Sequence, residues 1–514
     1  MLKSMSFDPV LKNEYNGGVQ AVVSRDQPAV AGEKDDLALG DTAEFSVSFL
    51  SRNSSIAMIG GLVSQGIRFL VIVYVARRFS VSEFGLLSFA IAVSAYQFVI
   101  CHFGLPFFGS RAVAKAGRVS HGLLAEVFCV KACLALGGMA LSTGVLALVP
   151  GVSRKELLLV ALFGLSNLPL AGFLDWAFQG LHRQEVSAIL NVILQGSWLM
   201  LTVAGIRFGM GVSAVPAALA AAALIASTIG YFWLKQTGHI GRFNGDQPSV
   251  LRRSWQTLES AAPLGWGILL NTVLVWSDAI AVRLLRGEQA VGWYAAGNRA
   301  GLALATLASY YVQGAFPMLS RASYDSPAQF RKFFQHSYED MAIAFVPGSL
   351  WAIFYAREIV LLLFKNPQYL AAVPVFQVFQ AIFLLTALGN LYGLGALVAV
   401  HRDRDYRKVL ALTASVFIPL CIALTAFKGI LGASVAVLST QVMSLILFAR
   451  KSRQLVRARH GQALALPFGV GLGVVMAGKF LTLTLIASAV LLGSAYAGLI
   501  AARFRRDHLR EGHC

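Results

Sequence analysis

Charged residues are scarce in this chain of 514 residues, since Asp, Glu, Lys and Arg together make up 13% of it. A typical soluble domain contains about 25%, so the composition excludes an ordinary globular fold. The alternating segments of a membrane β-barrel are also lacking. The apolar runs are instead about 20 residues long, enough for a helix to cross a bilayer. The sequence predicts an all-α polytopic membrane protein, because a helix satisfies its own backbone hydrogen bonds in lipid.

The motifs of soluble enzymes and metal sites are lacking as well. The sequence contains no phosphate-binding glycine loop, nucleophile elbow or zinc-binding histidine pair. Its five cysteines have no metal-ligand spacing. We therefore predict no cofactor and no metal. The net charge of +18 would suggest nucleic acid for a soluble protein. Here the basic residues lie between apolar runs, so we expect no nucleic-acid partner.

Fourteen apolar runs are candidate membrane spans. They lie at residues 54–76, 83–105, 122–149, 157–179, 186–206, 212–234, 262–282, 289–318, 337–356, 371–400, 408–427, 430–449, 463–481 and 483–502. Lys479 alone separates the last two runs, so twelve spans plus one long hairpin is the alternative.

Basic residues are distributed unequally over the connections between these runs. One set of alternate connections contains 24 Lys and Arg residues and the other contains 11. The positive-inside rule puts the richer set in the cytoplasm, so both termini are expected there. The largest inward connection follows the sixth run, and residues 84–90 weakly resemble residues 291–297. Both features favour two related six-helix lobes around a central cavity.

The predicted segments follow from this topology. They are a disordered cytoplasmic tail at 1–52, an N-terminal lobe at 53–236, a cytoplasmic linker at 237–258, a C-terminal lobe at 259–450, an extra helix pair at 451–502 and a basic cytoplasmic tail at 503–514.

Arg68 lies near the middle of the first run, where an arginine costs about 2.5–3.5 kcal/mol in the bilayer. Gln65 lies on the same helix face, so this face requires an interior rather than lipid. The topology places Arg68, Asp278 and Arg299 at similar depth on the first, seventh and eighth spans. Asn271 extends the polar face that Asp278 begins.

Two interpretations of this group are open. Arg68, Arg299, Gln65 and Asn271 could bind an anionic group in a cavity, because a guanidinium matches phosphate oxygens with two hydrogen bonds. Asp278 would then be a coupling site. In the alternative, Asp278 pairs with Arg299 or Arg68 and holds the lobes together, since buried charges are usually paired.

Two further charged residues lie closer to the cytoplasmic side. Lys131 in the third run is a weaker candidate for binding the anionic group, and Glu126 is a local partner for it. Asp175, near the end of the fourth run, is a candidate for a coupling or structural ion pair.

Residues 176–183 read Trp-Ala-Phe-Gln-Gly-Leu-His-Arg. They resemble the turn that ends the fourth helix of Wzx-type polysaccharide-repeat-unit flippases, a branch of the multidrug/oligosaccharidyl-lipid/polysaccharide exporter superfamily. Residues 76–85, 103–112 and 278–296 resemble other turns of that family, in the same order.

The resemblance implies a flippase that moves a polyprenyl-diphosphate-linked oligosaccharide across the bacterial inner membrane for surface or exopolysaccharide assembly. It implies alternating access, membrane lipids around the protein, and polysaccharide polymerase or co-polymerase proteins as partners. Three rivals remain: an ion-coupled drug or metabolite antiporter of the same superfamily, a membrane-embedded polymerase or glycosyltransferase, and a peptidoglycan-precursor flippase. The enzyme would require a large outward loop, which the predicted topology lacks.

Overall fold

Long helices joined by short connections form the first half of the protein. The computed structural model describes residues 38–238, 240–241, 250–456 and 460–511. Its first helices are α1 (Ala38–Arg78), α2 (Val81–His102), α3 (Leu105–Ala116), α4 (His121–Ala147), α5 (Arg154–Ala171), α6 (Asp175–Gly180), α7 (Gln184–Arg207) and α8 (Ala214–Gln236). Serine caps define several starts, and Ser80 with Glu83 forms a complete capping box at α2.

The second half continues in the same way. Its helices are α9 (Val250–Arg286), α10 (Glu288–Asp325), α11 (Pro327–Phe354), α12 (Ala356–Phe364), α13 (Val373–Asn390), α14 (Asp403–Ser452), α15 (His460–Phe480) and α16 (Leu485–Glu511). Short 3₁₀ helices lie at Gly211–Ser213 and Pro367–Ala372, and a π-helix lies at Leu391–Val398. The prediction of an all-α polytopic protein is confirmed.

The number of spans differs from the predicted fourteen. Ten helices of the described chain are long and apolar enough to cross a membrane, and eleven if the bent pair α11–α12 is one span. One reason lies in α14, where two helices merge at Gly429, whose φ of +60° is non-helical. This single helix covers both predicted spans 408–427 and 430–449. Fourteen spans therefore stay a prediction.

Several helices extend beyond the predicted segment boundaries. Helix α1 begins at Ala38, inside the predicted tail, and residues 1–37 lie outside the described residues. Helix α9 begins at Val250, inside the predicted linker, of which residues 239 and 242–249 are not described. Helix α16 continues to Glu511 through most of the predicted basic tail. Helix formation continues past the apolar runs because polar residues such as Glu, Lys and Arg also favour helices.

Contacts divide the chain into two units, Met1–Arg52 and Asn53–Cys514. The described part of the first unit is helical from Ala38. Within the second unit, one hydrophobic core runs from α1, α2, α4, α5, α7 and α8 into α9, α10, α12, α13 and α14. A smaller core joins α10, α11, the π-helix and α14. The division into two six-helix lobes stays a prediction.

A pair of two-residue strands connects distant parts of the second unit. Strand β1 (Val119–Ser120) pairs in parallel with β2 (Ile240–Gly241). The first strand precedes α4 and the second follows α8. The connection after α8 is therefore fixed to the α3–α4 turn.

Candidate functional site

Three charged side chains from different helices interact electrostatically. Arg299 on α10 interacts with Arg68 on α1 and with Asp278 on α9. Asp278 is buried, with 3% of its surface exposed, whereas Arg299 is half-buried and Arg68 is exposed on the protein surface. The structure thus brings together the residues that share a predicted depth. We call Arg68, Asp278 and Arg299 the charged triad; it carries two positive charges and one negative charge.

Asp278 obtains its hydrogen bonds from two donors. The Tyr294 hydroxyl donates to Oδ2 at 2.6 Å, and the backbone N–H of Ala279 donates to Oδ1 at 2.7 Å. Among the described side chains, the ion pairs do not include one between Asp278 and Arg299. Tyr294 donates to one oxygen of this carboxylate and Arg299 lies over the ring of Trp276, so a structural pairing of Asp278 with Arg299 or Arg68 stays a prediction.

The other polar residues around the triad come from α1, α2 and α9. Gln65 is half-buried on the same face of α1 as Arg68, and Asn271 is exposed on α9, two turns before Asp278. The hydroxyls of Tyr96 on α2 and Ser277 on α9 are 2.7 Å apart. Hydrogen bonding at this position therefore connects α2 directly to the segment that carries Asp278.

Lys131 and Asp175 form a second group elsewhere in the bundle. Lys131 on α4 is buried, with 1% exposed, and interacts electrostatically with Asp175 at the start of α6 and with His102. The Asp175 carboxylate accepts the backbone N–H of Trp176 at 2.8 Å. Glu126, the expected local partner of Lys131, instead accepts the hydroxyl of Thr257 on α9. The predicted binding role of Lys131 and coupling role of Asp175 stay predictions.

Trp176, within the run that resembles the flippase turn, has a packing role. A Cβ atom added at Gly109 of α3 would lie 2.4 Å from the Trp176 ring, and one added at Gly180 would lie 2.6 Å from the Ser110 carbonyl oxygen. Helices α3 and α6 therefore cross at close range because glycine faces the neighbouring helix at both positions.

The α1–α2 turn region, residues 76–85, packs against the α9–α10 turn region, residues 283–292. We call this contact the seam. A Cβ atom at Gly85 would lie 1.9 Å from the Glu288 carbonyl oxygen, and one at Gly292 would lie 2.2 Å from the Val81 carbonyl oxygen. These two glycines occupy the same position in the weak repeat. The repeated segments thus meet each other, and each requires a residue without a side chain.

A buried ion pair lies beside the seam. Nη2 of Arg283 is 2.7 Å from Oε2 of Glu156, and the Glu156 side chain is fully buried. Glu156 also completes the capping box of α5 with Ser153, which fixes its position. The pair connects α5 to α9. The sequence does not reveal this pair, because Arg283 follows the seventh apolar run and its position predicts a loop charge.

Two further arginines near the seam bind backbone carbonyls at helix ends. Arg77 donates to the carbonyls of Leu363 and Leu362 at 2.6 and 2.8 Å, in the last turn of α12. Arg286 donates to the carbonyls of Thr425 at 3.1 Å and of Ala426, just before the break at Gly429. Cations are stabilising there because the last carbonyls of a helix are unpaired and partly negative.

We expect Tyr294→Phe to destabilise the protein by about 1–3 kcal/mol, because the buried Asp278 carboxylate loses a hydrogen-bond donor. The midpoint of thermal unfolding of the purified protein in detergent measures this effect. Tyr231→Phe, at an exposed tyrosine of α8, serves as the control and should leave the midpoint unchanged. An unchanged midpoint for Tyr294→Phe would contradict the assigned hydrogen bond.

A metal site is not apparent in the described residues, which contain no group of three His, Cys, Asp or Glu side chains that could hold an ion. The charged triad instead combines two cations with one carboxylate, and hydroxyl groups and an aromatic ring surround it. Such a set suits an anionic ligand better than a metal ion.

Sequence comparison connects this fold to a known family. The profile of the family described as "Polysaccharide biosynthesis protein" matches residues 50–323, which is more than half of the chain. The chain belongs to this polysaccharide biosynthesis family. A relative in Escherichia coli (strain K12), named "Putative O-antigen transporter", is 22% identical over 398 residues, covering 74% of this chain and 92% of that protein.

Solved structures share the fold of this family member at low sequence identity. The lipid II flippase MurJ in an inward closed conformation has a TM-score of 0.69 and 11% identity, over 88% of this chain and 99% of its own. An outward-facing multidrug resistance MATE family transporter of the MOP superfamily has a TM-score of 0.54 and 11% identity, over 79% and 95%. The predicted membership of the Wzx-type branch of this superfamily is confirmed. The prediction that the protein is a transporter rather than an enzyme is also confirmed.

Proposed function

We propose that the protein is a flippase for a polyprenyl-diphosphate-linked oligosaccharide repeat unit. It moves this cargo across the bacterial inner membrane, by alternating access, for surface or exopolysaccharide assembly. The family and the named relatives support transport in polysaccharide biosynthesis. The charged triad is the observation that favours a diphosphate as the anionic group of the cargo.

The two arginines of the triad explain why an anion is favoured. Arg68 and Arg299 are near enough for their like charges to interact, and two like charges repel each other. A diphosphate between them would remove this repulsion and accept bidentate hydrogen bonds from both guanidinium groups. The sugar–diphosphate head would thereby exchange water for fixed donors, while the polyprenyl chain stays in lipid.

The seam supports a transport cycle in which one end of the bundle opens at a time. The positive-inside rule puts the α1–α2 turn on the outer side, so we propose that the seam is the closed outer end. Opening it would separate Gly85 from Glu288 and Arg283 from Glu156. The cargo would enter from the cytoplasmic side before this separation and leave after it. Asp278 is the proposed coupling residue.

We expect Arg68→Ala to reduce glycan export by about ten- to a hundredfold, because a charge-assisted hydrogen bond to phosphate contributes about 1.5–3 kcal/mol. The assay measures surface glycan, and lipid-linked glycan accumulating inside, in a deletion strain that carries the variant. Arg207→Ala, an exposed arginine at the end of α7, is the matched control. Normal export by Arg68→Ala at an equal protein level would contradict the binding role.

An ion-coupled multidrug or metabolite antiporter is the second candidate. The buried carboxylate of Asp278 and the fold shared with a MATE family transporter favour it. An antiporter for cationic drugs would confer drug resistance that depends on Asp278 and not on Arg68. The flippase instead predicts unchanged drug resistance, and accumulation of lipid-linked glycan when Arg68 is replaced.

A further inference from the structure

Arg299 is held by an aromatic ring. Its guanidinium carbon lies 5.4 Å from the centroid of the Trp276 ring, on the neighbouring helix α9. A cation over the face of tryptophan is attracted by the negative charge density of the ring. Trp276 is thus the close partner of Arg299 in a site where a carboxylate, Asp278, is also within electrostatic range.

The segment that carries Trp276 is fixed on both helices that face it. The next residue, Ser277, shares a hydrogen bond with Tyr96 of α2, and the one after it, Asp278, accepts the hydroxyl of Tyr294 of α10. Three consecutive residues of α9 therefore contact three different side chains. These contacts fix the backbone of α9 beside Trp276 against both α2 and α10.

A ring and a carboxylate hold a guanidinium in different ways. A carboxylate occupies the N–H donors at the edge of the guanidinium plane, which are the same donors that phosphate would use. An aromatic ring that stacks on the guanidinium contacts the face of its plane and leaves the donors at its edge available. The Asp278 carboxylate is meanwhile engaged by Tyr294 and by the Ala279 backbone.

We propose that Trp276 is a positioning residue, which holds Arg299 by its face so that its N–H edge can bind the phosphates of the cargo. This inference rests on the proposed function, since it assigns a task to Arg299 within that site. Tyr294 contributes to the same arrangement, because its hydrogen bond fixes the position of the Asp278 carboxylate.

The test measures the affinity of the full-length purified protein for farnesyl diphosphate, with farnesol as the probe that lacks phosphate. Trp276→Leu is expected to weaken farnesyl diphosphate binding about two- to thirtyfold, the range of a cation–π contact converted to affinity. Trp276→Phe should lose less, because it retains a ring. Farnesol binding should stay unchanged. Trp255→Leu, an exposed tryptophan on the same helix, is the matched control.

A double-mutant cycle then separates positioning from other roles of the ring. In an Arg299→Gln background, Trp276→Leu should cause less than a twofold further change, because the ring has no guanidinium left to hold. An equal loss in both backgrounds would overturn the proposal, and so would normal affinity of Trp276→Leu. Should Trp276→Leu fail to fold, Trp276→Phe and Trp276→Tyr provide the same comparison.

The outcomes also distinguish this inference from the proposed function. If Arg299→Gln weakens binding and Trp276→Leu does not, the inference fails and the diphosphate site stands. If neither Arg299→Gln nor Arg68→Ala changes farnesyl diphosphate binding or glycan export, the proposed function fails and the inference falls with it.

Discussion

Arg283→Gln is expected to lower the free energy of unfolding by about 3–5 kcal/mol, because it leaves a buried carboxylate without its partner. Glu156 is fully buried, and Arg283 approaches it with two nitrogen atoms at 2.5 and 2.7 Å. The remaining donors to Glu156 are those of the capping serine, Ser153. The midpoint of thermal unfolding in detergent measures the loss.

The double variant Glu156→Gln with Arg283→Gln tests the cause of that loss. It should recover most of the stability, because no charge stays buried and glutamine keeps the capping box at the start of α5. Arg154→Gln, which alters an exposed arginine two residues before Glu156, controls for a change of charge at this helix end. A stable Arg283→Gln single variant, or a double variant no more stable than it, would contradict the assignment.

The second large effect concerns Gly85. Gly85→Ala should reduce export more than tenfold, because a methyl group there would lie 1.9 Å from the Glu288 carbonyl oxygen. That atom belongs to a backbone which cannot move aside without opening the seam. We therefore expect a folded protein whose seam fails to close, so that the proposed transport cycle stops.

Gly137→Ala is the matched control for this substitution. Gly137 lies within α4, and a Cβ atom there meets nothing within 4 Å. It should export normally and gain slightly in stability, because alanine favours helices more than glycine does. Normal export by Gly85→Ala would show that closure of the seam is not needed for transport.

Depth along predicted helices was sufficient to group the charged triad. Arg68, Asp278 and Arg299 interact in the structure although they are far apart in the sequence, because residues at one depth on neighbouring helices come close. The partners of these charges were not predictable in the same way. Tyr294 and Trp276 belong to ordinary apolar faces, and no spacing rule distinguishes a hydroxyl donor or a supporting ring from a core residue.

The seam was visible in the sequence only as a weak repeat of residues 84–90 and 291–297. The repeat indicates related segments, but it does not show that they meet, which depends on tertiary packing. The ion pair of Glu156 and Arg283 gave no signal at all, because its members belong to separate connections. Within α14, the predicted spans 408–427 and 430–449 correspond to two helices that meet at the break at Gly429.

The pairing of β1 with β2 shortens the connection between the two halves of the chain. Because Gly241 is held against Ser120, nine residue steps separate this anchor from the start of α9 at Val250, a distance of at most about 32 Å along the chain. Movement of one half of the chain relative to the other therefore cannot separate Gly241 from Val250 by more than this distance.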